Sequence, residues 1–405
     1  MNDNIINTET MKKKTVLLLN ISHNELGLIR ALHQLGYYIL ATGNNALLPG
    51  KEFVDEYVPL DYSNKDLILE LAKSRHIDAI CPCVNDFGVI TAAYVAEKMN
   101  LPGHDTYENT LILHHKDKFK EFTKKYNIQS PISTSFDSIS SAKEWVANIS
   151  EYPIIVKPVD LTGGKGCSRA NNIEEALLAI DKAYSCSRVK HIVIEPYIEG
   201  TQHACCAFLV NQKVRAICSN NEYSFTNPYK VEVDTFPADY FDEIQDFLIG
   251  EIEKIASILK LKDGIFHAQY ILQNRKPYIF EVMRRVLGNL YMIPASKLTG
   301  IDWEYWEAKA KCGLSVDNMP YINEQKGFWA YRCVMGTKDG VIESIRIPES
   351  VQKYIFDKYE MLKPGDVVEN WQNSQLAFYF MQFNTAKEMR KIMVDEFREI
   401  YPIYK

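Results

Sequence analysis

Residues 152–168 read YPIIVKPVDLTGGKGCS and contain the pattern that most directly indicates the fold. An apolar run ends on Lys157, which predicts a strand whose end meets polar surroundings. A segment with three glycines follows, and closely spaced glycines let backbone N–H groups approach phosphate oxygens. Lys165 adds a positive charge inside that segment. The spacing differs from the Walker pattern, so a phosphate-binding loop and an ordinary surface loop both remain open.

A second apolar run, at 191–194, leads into EPYIEG at 195–200. Pro196 has no backbone N–H, so this segment is predicted to leave a strand or form a hinge rather than continue a central strand. An exposed hinge offers backbone C=O and N–H groups, which can hydrogen-bond to the edge of an adenine ring. An ordinary turn is the alternative.

A third polar group is predicted from a β-hairpin with its turn near Asn274. Gln269 and Glu281 then lie close together on adjacent strands, and Mg²⁺ prefers such oxygen ligands, shared with phosphates and water. Arg284 or Arg285, just beyond, could neutralise charge on a transferred phosphoryl group. A surface hairpin of mixed charge is the alternative.

The first part of the chain alternates between strand and helix patterns. Strands are predicted at 16–21, 37–42, around 58–60 and at 77–84, and helices at 25–35, 66–74 and 89–99. This alternation is typical of a parallel sheet covered by helices. No G-x-G-x-x-G follows the first strand, which argues against a Rossmann dinucleotide site.

Patterns further along the chain complete the expected architecture. Helices are predicted at 116–126, 141–148, 173–183, 237–259, 302–312 and 386–400, and strands at 204–210, 213–219, 327–334 and 376–384. We therefore expect an α/β domain with a parallel sheet at 12–115, an α+β domain at 116–315 with subdomains 116–190 and 191–315, and a smaller mixed C-terminal region at 316–405.

Composition excludes several classes of protein. The 405 residues carry 46 basic and 52 acidic side chains, a formal net charge of −6, which argues against non-specific nucleic-acid binding. No apolar run is long enough to span a membrane, and no signal peptide is evident near the start. The nine cysteines have no regular spacing, so buried free thiols and a cytoplasmic location are expected.

Taken together and in this order, the motifs resemble the ATP-grasp superfamily, especially carbamoyl-phosphate synthetase large subunits and amino-acid ligases. The motifs are Asp117-Lys118, Ile155-Val156-Lys157-Pro158, Gly163-Gly164-Lys165-Gly166, Glu195-x-Tyr197-Ile198-x-Gly200, Gln269 and Glu281-x-Met283-x-Arg285. The resemblance covers about residues 12–315. It implies an ATP-grasp fold with an N-terminal parallel-sheet domain and a smaller C-terminal mixed domain.

The resemblance also implies roles for individual residues. ATP would lie between two α+β subdomains, with Lys118 and Lys157 at its phosphates and Gln202 at its ribose. The loop expected to close over the phosphates comprises Thr162, Gly163, Gly164, Lys165, Gly166, Cys167 and Ser168. The hinge expected to bind adenine comprises Glu195, Pro196, Tyr197 and Ile198. Gln269 and Glu281 are expected to bind Mg²⁺, or Mn²⁺ in its place, and Arg285 is the expected catalytic residue.

Three residues depart from the family pattern. Gln269 stands where many members carry an acidic residue, although synthetase-like members use glutamine. Gln202 stands where a glutamate is usual, but an amide can still hydrogen-bond to a ribose hydroxyl. Met283 stands where an asparagine usually completes the metal site, and a thioether is a poor ligand for Mg²⁺. Either water or Asn289 replaces the missing oxygen, or a second metal is bound weakly, or the enzyme is impaired.

The resemblance does not identify the second substrate. The polar and aromatic segment 223–230 could line its pocket, and Arg332 could bind a carboxylate through two hydrogen bonds. His267 should share a strand face with Gln269 and could assist proton transfer. An ordinary loop, a structural arginine and a structural histidine are the respective alternatives.

The expected function is that of an ATP-dependent carboxylate–amine ligase, which forms an acyl phosphate and acts on small-molecule carboxylate and amine substrates, an amino acid among them. One alternative is a carbamoyl-phosphate or carboxyphosphate enzyme. Another, motivated by Met283, is an ATP-binding regulatory protein with little catalysis. No nucleic-acid or membrane partner is expected, whereas a homodimer is common in the superfamily and is one expected state.

Overall fold

The computed structural model describes residues 13–161, 163–322 and 324–405, which form twelve α-helices and nineteen strands in four sheets. The helices are α1 (Leu26–Gln34), α2 (Lys65–Ser74), α3 (Asp86–Met99), α4 (Tyr107–His114), α5 (Lys116–Lys125), α6 (Ile139–Ala147), α7 (Ile173–Cys186), α8 (Phe241–Leu259), α9 (Met292–Thr299), α10 (Trp303–Lys311), α11 (Glu349–Gln352) and α12 (Ala386–Arg390). The strands are β1 (Thr15–Leu19), β2 (Tyr38–Thr42), β3 (Glu56–Val58), β4 (Ala79–Cys81), β5 (Thr134–Phe136), β6 (Ile154–Pro158), β7 (Ser168–Ala170), β8 (Ile192–Pro196), β9 (Thr201–Val210), β10 (Lys213–Tyr223), β11 (Val233–Phe236), β12 (Gly264–Gln273), β13 (Lys276–Met283), β14 (Phe328–Met335), β15 (Gly340–Arg346), β16 (Ile355–Glu360), β17 (Val367–Val368), β18 (Gln375–Phe383) and β19 (Tyr401–Tyr404).

The N-terminal sheet has the order β3-β2-β1-β4, and all its strands are parallel. In β1, Leu17 and Leu19 pack in the apolar cluster of α2 and α3, while Val16 and Leu18 pack in the cluster that includes α1. Both faces of this strand are therefore buried, which explains its unbroken apolar sequence. The expected α/β unit with a parallel sheet is confirmed.

The next sheet is antiparallel and has the order β5-β8-β6-β7. Helices α6 and α7 cover it, with Ala142, Val146 and Ile180 packed against Ile154 and Val156 of β6. This packing fixes the end of β6, where Lys157 stands, and the start of the glycine-rich segment.

Eight antiparallel strands form the largest sheet, with the order β13-β12-β9-β10-β11-β14-β18-β16. The expected hairpin is β12–β13, in which Gln273 pairs with Lys276 across the two-residue turn Asn274-Arg275. Both turn residues have positive φ, the conformation of a turn whose twist matches that of the flanking strands. Helix α8 packs its apolar face on β9 and β12.

The C-terminal region differs from the sequence-based expectation. Helix α12 ends at Arg390, a wider helical turn covers 391–395, and β19 follows where the terminal helix was expected to end. A short 3₁₀ turn at Phe397–Glu399 then leads into β19, which pairs with β15. Strands β15, β17 and β19 form the small fourth sheet.

The eight-stranded sheet crosses the expected boundary at residue 315. Strand β14 pairs with β11 on one side and β18 on the other, so the last ninety residues extend the central sheet as well as forming their own. The boundaries at 12–115, 116–315 and 316–405 therefore stay predictions, and residue 12 lies outside the described residues.

Two further expectations concern cysteines and membranes. All nine cysteines are free, and all but Cys186 are buried. No helix in the described ranges is both long and apolar enough to cross a bilayer. The cytoplasmic location stays a prediction.

Arg284, just after β13, is 1% exposed and joins two parts of the fold. Its Nε donates to Asp105 Oδ2 (2.9 Å), and its Nη1 and Nη2 donate to backbone carbonyls of Lys262, Gly264 and Ile265. A fully buried charge with this many partners positions the backbone at the end of β13. The residue pattern alone left Arg284 and Arg285 as alternatives, and the family resemblance implied Arg285. Of the two, Arg285 is the one that lines the cavity described below.

We predict that Asp105→Asn lowers the free energy of unfolding by about 3–5 kcal/mol, because the Arg284 guanidinium stays buried without a countercharge. Urea denaturation measures this change. The matched control is Asp246→Asn on exposed α8 surface, for which we expect less than about 0.5 kcal/mol. Equal effects of the two substitutions would contradict the assigned role.

Candidate active site

A cavity of about 370 Å³ is lined by residues of both the β5-β8-β6-β7 sheet and the eight-stranded sheet. The sequence-predicted residues that line it are Lys157, Gly163, Gly164, Cys167, Glu195, Pro196, Tyr197, Ile198, Gln202, His267, Gln269, Glu281, Arg285 and Asn289. Lys118, Lys165, Gly166, Ser168 and Arg332 are not among its lining residues, and Thr162 lies outside the described residues. The structure thus brings most of the predicted site together, while each residue's role stays a prediction.

Lys157, near the end of β6, shares a buried carboxylate with a second lysine. Its Nζ lies 2.8 Å from Glu195 Oε2, and Lys120 Nζ of α5 lies 3.1 Å from Glu195 Oε1. Burial would raise the pKa of Glu195, but the charges of both lysines outweigh it and hold that pKa below its usual value. Burial lowers the pKa of Lys120 to about 8, although Glu195 opposes the shift. The Glu195 side chain therefore fixes the position of Lys157, a role that sequence reasoning missed.

The hinge that follows Glu195 has one backbone donor already engaged. The Tyr197 N–H donates to the Pro153 carbonyl (2.9 Å), and the Arg169 guanidinium lies over the Tyr197 ring at 4.3 Å. An adenine at this hinge would therefore have to use another backbone donor, such as that of Ile198, which lines the cavity.

Lys118 was predicted to bind the phosphates, but the structure places it away from the cavity. Its side chain is exposed on α5, whereas Lys116, at the first position of that helix, lines the cavity. Lys116 Nζ lies 2.9 Å from Glu281 Oε1 and donates to the Leu161 carbonyl (2.7 Å). Burial alone would lower the pKa of Lys116, but Glu281 raises it above the usual value. The helix period explains the difference, since residues two apart on a helix point in different directions.

The glycine-rich segment touches the loop at 224–232. A Cβ on Gly164 would lie 2.2 Å from Tyr229 Cβ, and Gly164 also has φ +69°, so only glycine fits there. The Tyr229 hydroxyl accepts a hydrogen bond from the Arg169 N–H (2.6 Å). The two loops thus meet beside the cavity, with Gly163, Gly164 and Cys167 on its wall and Lys165 exposed outside.

Gln269 and Glu281 stand directly opposite each other on β12 and β13, as the sequence predicts. Gln269 Nε2 donates to both oxygens of Glu222 (2.8 and 2.9 Å), and Gln202 Nε2 donates to Glu222 Oε2 (2.7 Å). Because the amide nitrogens are engaged, the carbonyl oxygen of Gln269 is left as a ligand, beside the Glu281 carboxylate. Such hard oxygens fit Mg²⁺ or Mn²⁺.

The described residues contain no group of three or more His, Cys, Asp and Glu side chains arranged to hold a metal ion. A metal ion at Gln269 and Glu281 would therefore share its remaining coordination positions with phosphate oxygens and water, which is the usual arrangement for Mg²⁺.

Two carboxylates that sequence reasoning missed lie side by side in the cavity. Glu222 on β10 and Asp234 on β11 are paired in register, and both are at least nine-tenths buried. Burial raises the pKa of Glu222 to about 7, and burial together with the charge of Glu222 raises the pKa of Asp234 well above its usual value. Asp234 Oδ1 has no hydrogen-bond partner among the described residues. The pair is therefore suited to a positively charged group.

Arg285 reaches the cavity from just beyond β13 and is held by Asp86. Its Nε donates to Asp86 Oδ1 (2.6 Å), and Asp86 Oδ1 also lies 3.4 Å from His114 Nδ1. Burial would raise the pKa of Asp86, but Arg285 and His114 hold it far below the usual value. Asp86 begins α3 after β4, at the carboxyl edge of the parallel sheet, and ligands of open parallel sheets lie at that edge. From this position after a strand of the parallel sheet, Asp86 could have been predicted as a site residue.

The Met283 sulfur lies against Arg285, whose Nη2 donates to Sδ at 3.3 Å. Asn289, one candidate for the missing oxygen ligand, has its amide engaged: Nδ2 donates to Val231 O and Tyr331 Oη (both 3.2 Å), and Oδ1 accepts from Gln375 Nε2 (2.9 Å). Because the Asn289 amide is already hydrogen-bonded, a water molecule is the better source of the oxygen ligand that Met283 does not supply.

His267 lines the cavity beside Gln269, as expected from their strand positions. Burial, with a contribution from Arg285, lowers its pKa to about 3, and neither ring nitrogen has a partner among the described residues. Its ring packs edge-on against Tyr291 at 5.6 Å. A neutral, weakly basic imidazole favours the structural alternative over proton transfer.

Residues 114–227 match the family model of the phosphoribosylglycinamide synthetase ATP-grasp (A) domain. The carbamoyl phosphate synthase large chain of Clostridium acetobutylicum is 23% identical over 377 residues, which cover 86% of this chain and 32% of that protein. The large chain of the same enzyme from Thermoanaerobacter sp. (strain X514) is 23% identical over 236 residues, which cover 55% of this chain and 20% of that protein. The chain therefore spans less than a third of the length of either relative.

Two solved structures are similar over almost the whole chain. Phosphoribosylglycinamide synthetase from Anaerococcus prevotii has a TM-score of 0.76 and 22% identity, and the match covers 97% of this chain and 100% of that one. L-amino acid ligase from Bacillus licheniformis has a TM-score of 0.81 and 18% identity, and the match covers 97% and 99%. Residues 114–227 thus match an ATP-grasp domain, and the similar structures show that the chain has the ATP-grasp fold over almost its whole length.

Proposed function

We propose that this protein is an ATP-dependent carboxylate–amine ligase that works through an acyl phosphate and takes an amino acid as one substrate. The proposal rests on the composition of one cavity wall. Three cations lie there together with a pair of oxygen-bearing side chains: the cations are Lys116, Lys157 and Arg285, and the pair is Gln269 and Glu281. Cations with a metal-binding oxygen pair are the groups that stabilise the charge of phosphoryl transfer.

In the proposed reaction a carboxylate oxygen attacks the γ-phosphorus of ATP, the bond to the β–γ bridging oxygen breaks, and ADP leaves. The amine nitrogen then attacks the acyl carbon, the carbon–oxygen bond to phosphate breaks, and the amine proton passes to solvent. Lys116 and Lys157 would bind phosphate oxygens, and Arg285 would stabilise the transferred group. Bound Mg²⁺ would neutralise charge on the phosphates.

The acidic pair Glu222–Asp234 supports an amine substrate. Two adjacent buried carboxylates favour an ammonium group beside them, as an amino acid carries. The similarity in fold to an L-amino acid ligase is consistent with the same substrate class. A homodimer and a cytoplasmic location remain further predictions for this protein.

The direct test is phosphate release from Mg-ATP with pooled amino acids and small carboxylates, followed by mass spectrometry of each pool. We expect phosphate release that depends on an amino acid, together with a new condensed mass. Glu281→Gln should lower turnover at least about 100-fold, because it removes a metal-binding charge. Glu174→Gln on exposed α7 is the matched control. Full activity of Glu281→Gln would refute the metal site.

A second test compares Lys116, which lines the cavity, with Lys118, the lysine predicted from the sequence to bind phosphate. Lys116→Met should raise the Kd of Mg-ATP about tenfold or more, because a charge-assisted hydrogen bond to phosphate is lost. Lys118→Met, on the exposed side of the same helix, should leave the Kd unchanged. Isothermal titration calorimetry measures both, and a larger effect at Lys118 would restore the sequence-based assignment.

Met283 favours a second candidate function, an ATP-binding regulatory protein with little catalysis. Met283→Asn decides between the two. For a working ligase we expect turnover to fall about tenfold, because the amide loses the sulfur contact to Arg285 and enters an apolar cluster. Met283→Leu, which conserves volume, serves as the control. A large gain of turnover in Met283→Asn would instead favour the regulatory function.

A further inference from the structure

A second cavity, of about 420 Å³, is separate from the active cavity and contains Arg332. Tyr331 and Arg332 are consecutive on β14, so their side chains point to opposite faces of the sheet. Tyr331 lines the active cavity and Arg332 lines the second one. The structure therefore moves Arg332, a sequence-predicted substrate ligand, to a different site.

Arg332 is buried, and two nitrogens of its guanidinium lack a hydrogen-bond partner in the part of the chain that the structure describes. The residue is 5% exposed, and its Nε and Nη1 have no partner among the described residues. Burying a charge costs several kcal/mol unless it is paired, so an unpaired arginine facing a cavity indicates a missing anion.

The neighbouring carboxylate, Glu232, is engaged elsewhere. Its Oε1 accepts the backbone N–H groups of Phe225, Thr226 and Asn227, and its Oε2 accepts the Thr226 hydroxyl. These four bonds hold the loop 224–232 in place. Glu232 lines the same cavity and its charge acts on Arg332, but the two side chains share no hydrogen bond among the described residues.

Aromatic rings form the wall beside the guanidinium. Phe225 and Phe397 stack at 3.8 Å between centroids, and Arg332 Cζ lies 5.1 Å from the Phe397 ring and 6.0 Å from the Phe225 ring. Arg398 also lines this cavity. Apolar walls strengthen the attraction between a guanidinium and an anion, because they exclude water.

We propose that this second cavity is a binding site for a small carboxylate or phosphate anion, held by Arg332 and assisted by Arg398. The fork of N–H donors on arginine fits both kinds of anion. The loop 224–232 contributes Phe225, Thr226 and Glu232 to this site and Pro228, Tyr229, Lys230 and Val231 to the active cavity, so the two sites share a wall. The proposal does not depend on the proposed function.

The test places 4-fluorophenylalanine at position 397 of the full chain and follows its ¹⁹F resonance while sodium phosphate or sodium acetate is added. Sodium chloride at equal ionic strength is the reference. We expect a saturable shift with at least one of the two anions and none with chloride. A shift with acetate alone identifies a carboxylate site, and one with phosphate alone identifies a phosphate site. No saturable shift with either anion would overturn the proposal.

Variants identify the residue that binds the anion. Arg332→Met should abolish the shift, while Arg390→Met, an exposed arginine on α12, should keep it. A shift that survives Arg332→Met would overturn the proposal. Where Arg332→Met fails to fold, Thr337→Trp replaces it, because Thr337 is exposed and lines the cavity, so that an indole there obstructs it. Unchanged binding in Thr337→Trp would then place the anion elsewhere.

Discussion

The pairing of buried charges is the constraint on which the candidate site depends. Three cations that face the active cavity are each held by a carboxylate from another element: Lys157 by Glu195, Lys116 by Glu281 and Arg285 by Asp86. An unpaired buried charge would cost several kcal/mol, so these pairs form together with the fold. They join the parallel-sheet unit, α5, β6, β8 and the β12–β13 hairpin at one place, and they position the cations before any ligand arrives.

The wall of the cavity therefore carries two kinds of charged group. The lysines and Arg285 lie there with the oxygens of Gln269 and Glu281, and so does the acidic pair Glu222–Asp234. Glu222 is joined to the oxygen pair, because Gln269 donates to it, as Gln202 does. The cations suit a phosphorylated carboxylate and the acidic pair suits an amine, the two groups that the proposed reaction joins.

Most of the fold could be predicted from the sequence, because strand and helix periods are local. The terminal helix could not be predicted fully, since the pairing of β19 with β15 is a long-range interaction. Residues of the candidate site could be predicted where they belong to a contiguous motif, as Lys157 does, or to a tight hairpin, as Gln269 does. Residues that only packing brings to the site could not be predicted: Glu222 and Asp86 lie in no recognisable motif. Whether Lys116 or Lys118 faces the cavity depends on the orientation of α5.

The most direct test of the acyl-phosphate mechanism follows the oxygen atoms of the substrate carboxylate. The protein is incubated in ordinary water with Mg-ATP and with pooled amino acids and small carboxylates, all of whose carboxylates carry ¹⁸O, and the released phosphate is analysed by mass spectrometry. An acyl-phosphate ligase transfers one carboxylate oxygen to phosphate, so the account predicts phosphate that carries one ¹⁸O. Released phosphate without ¹⁸O would show that water, and not a carboxylate, attacks ATP, and would contradict the central claim.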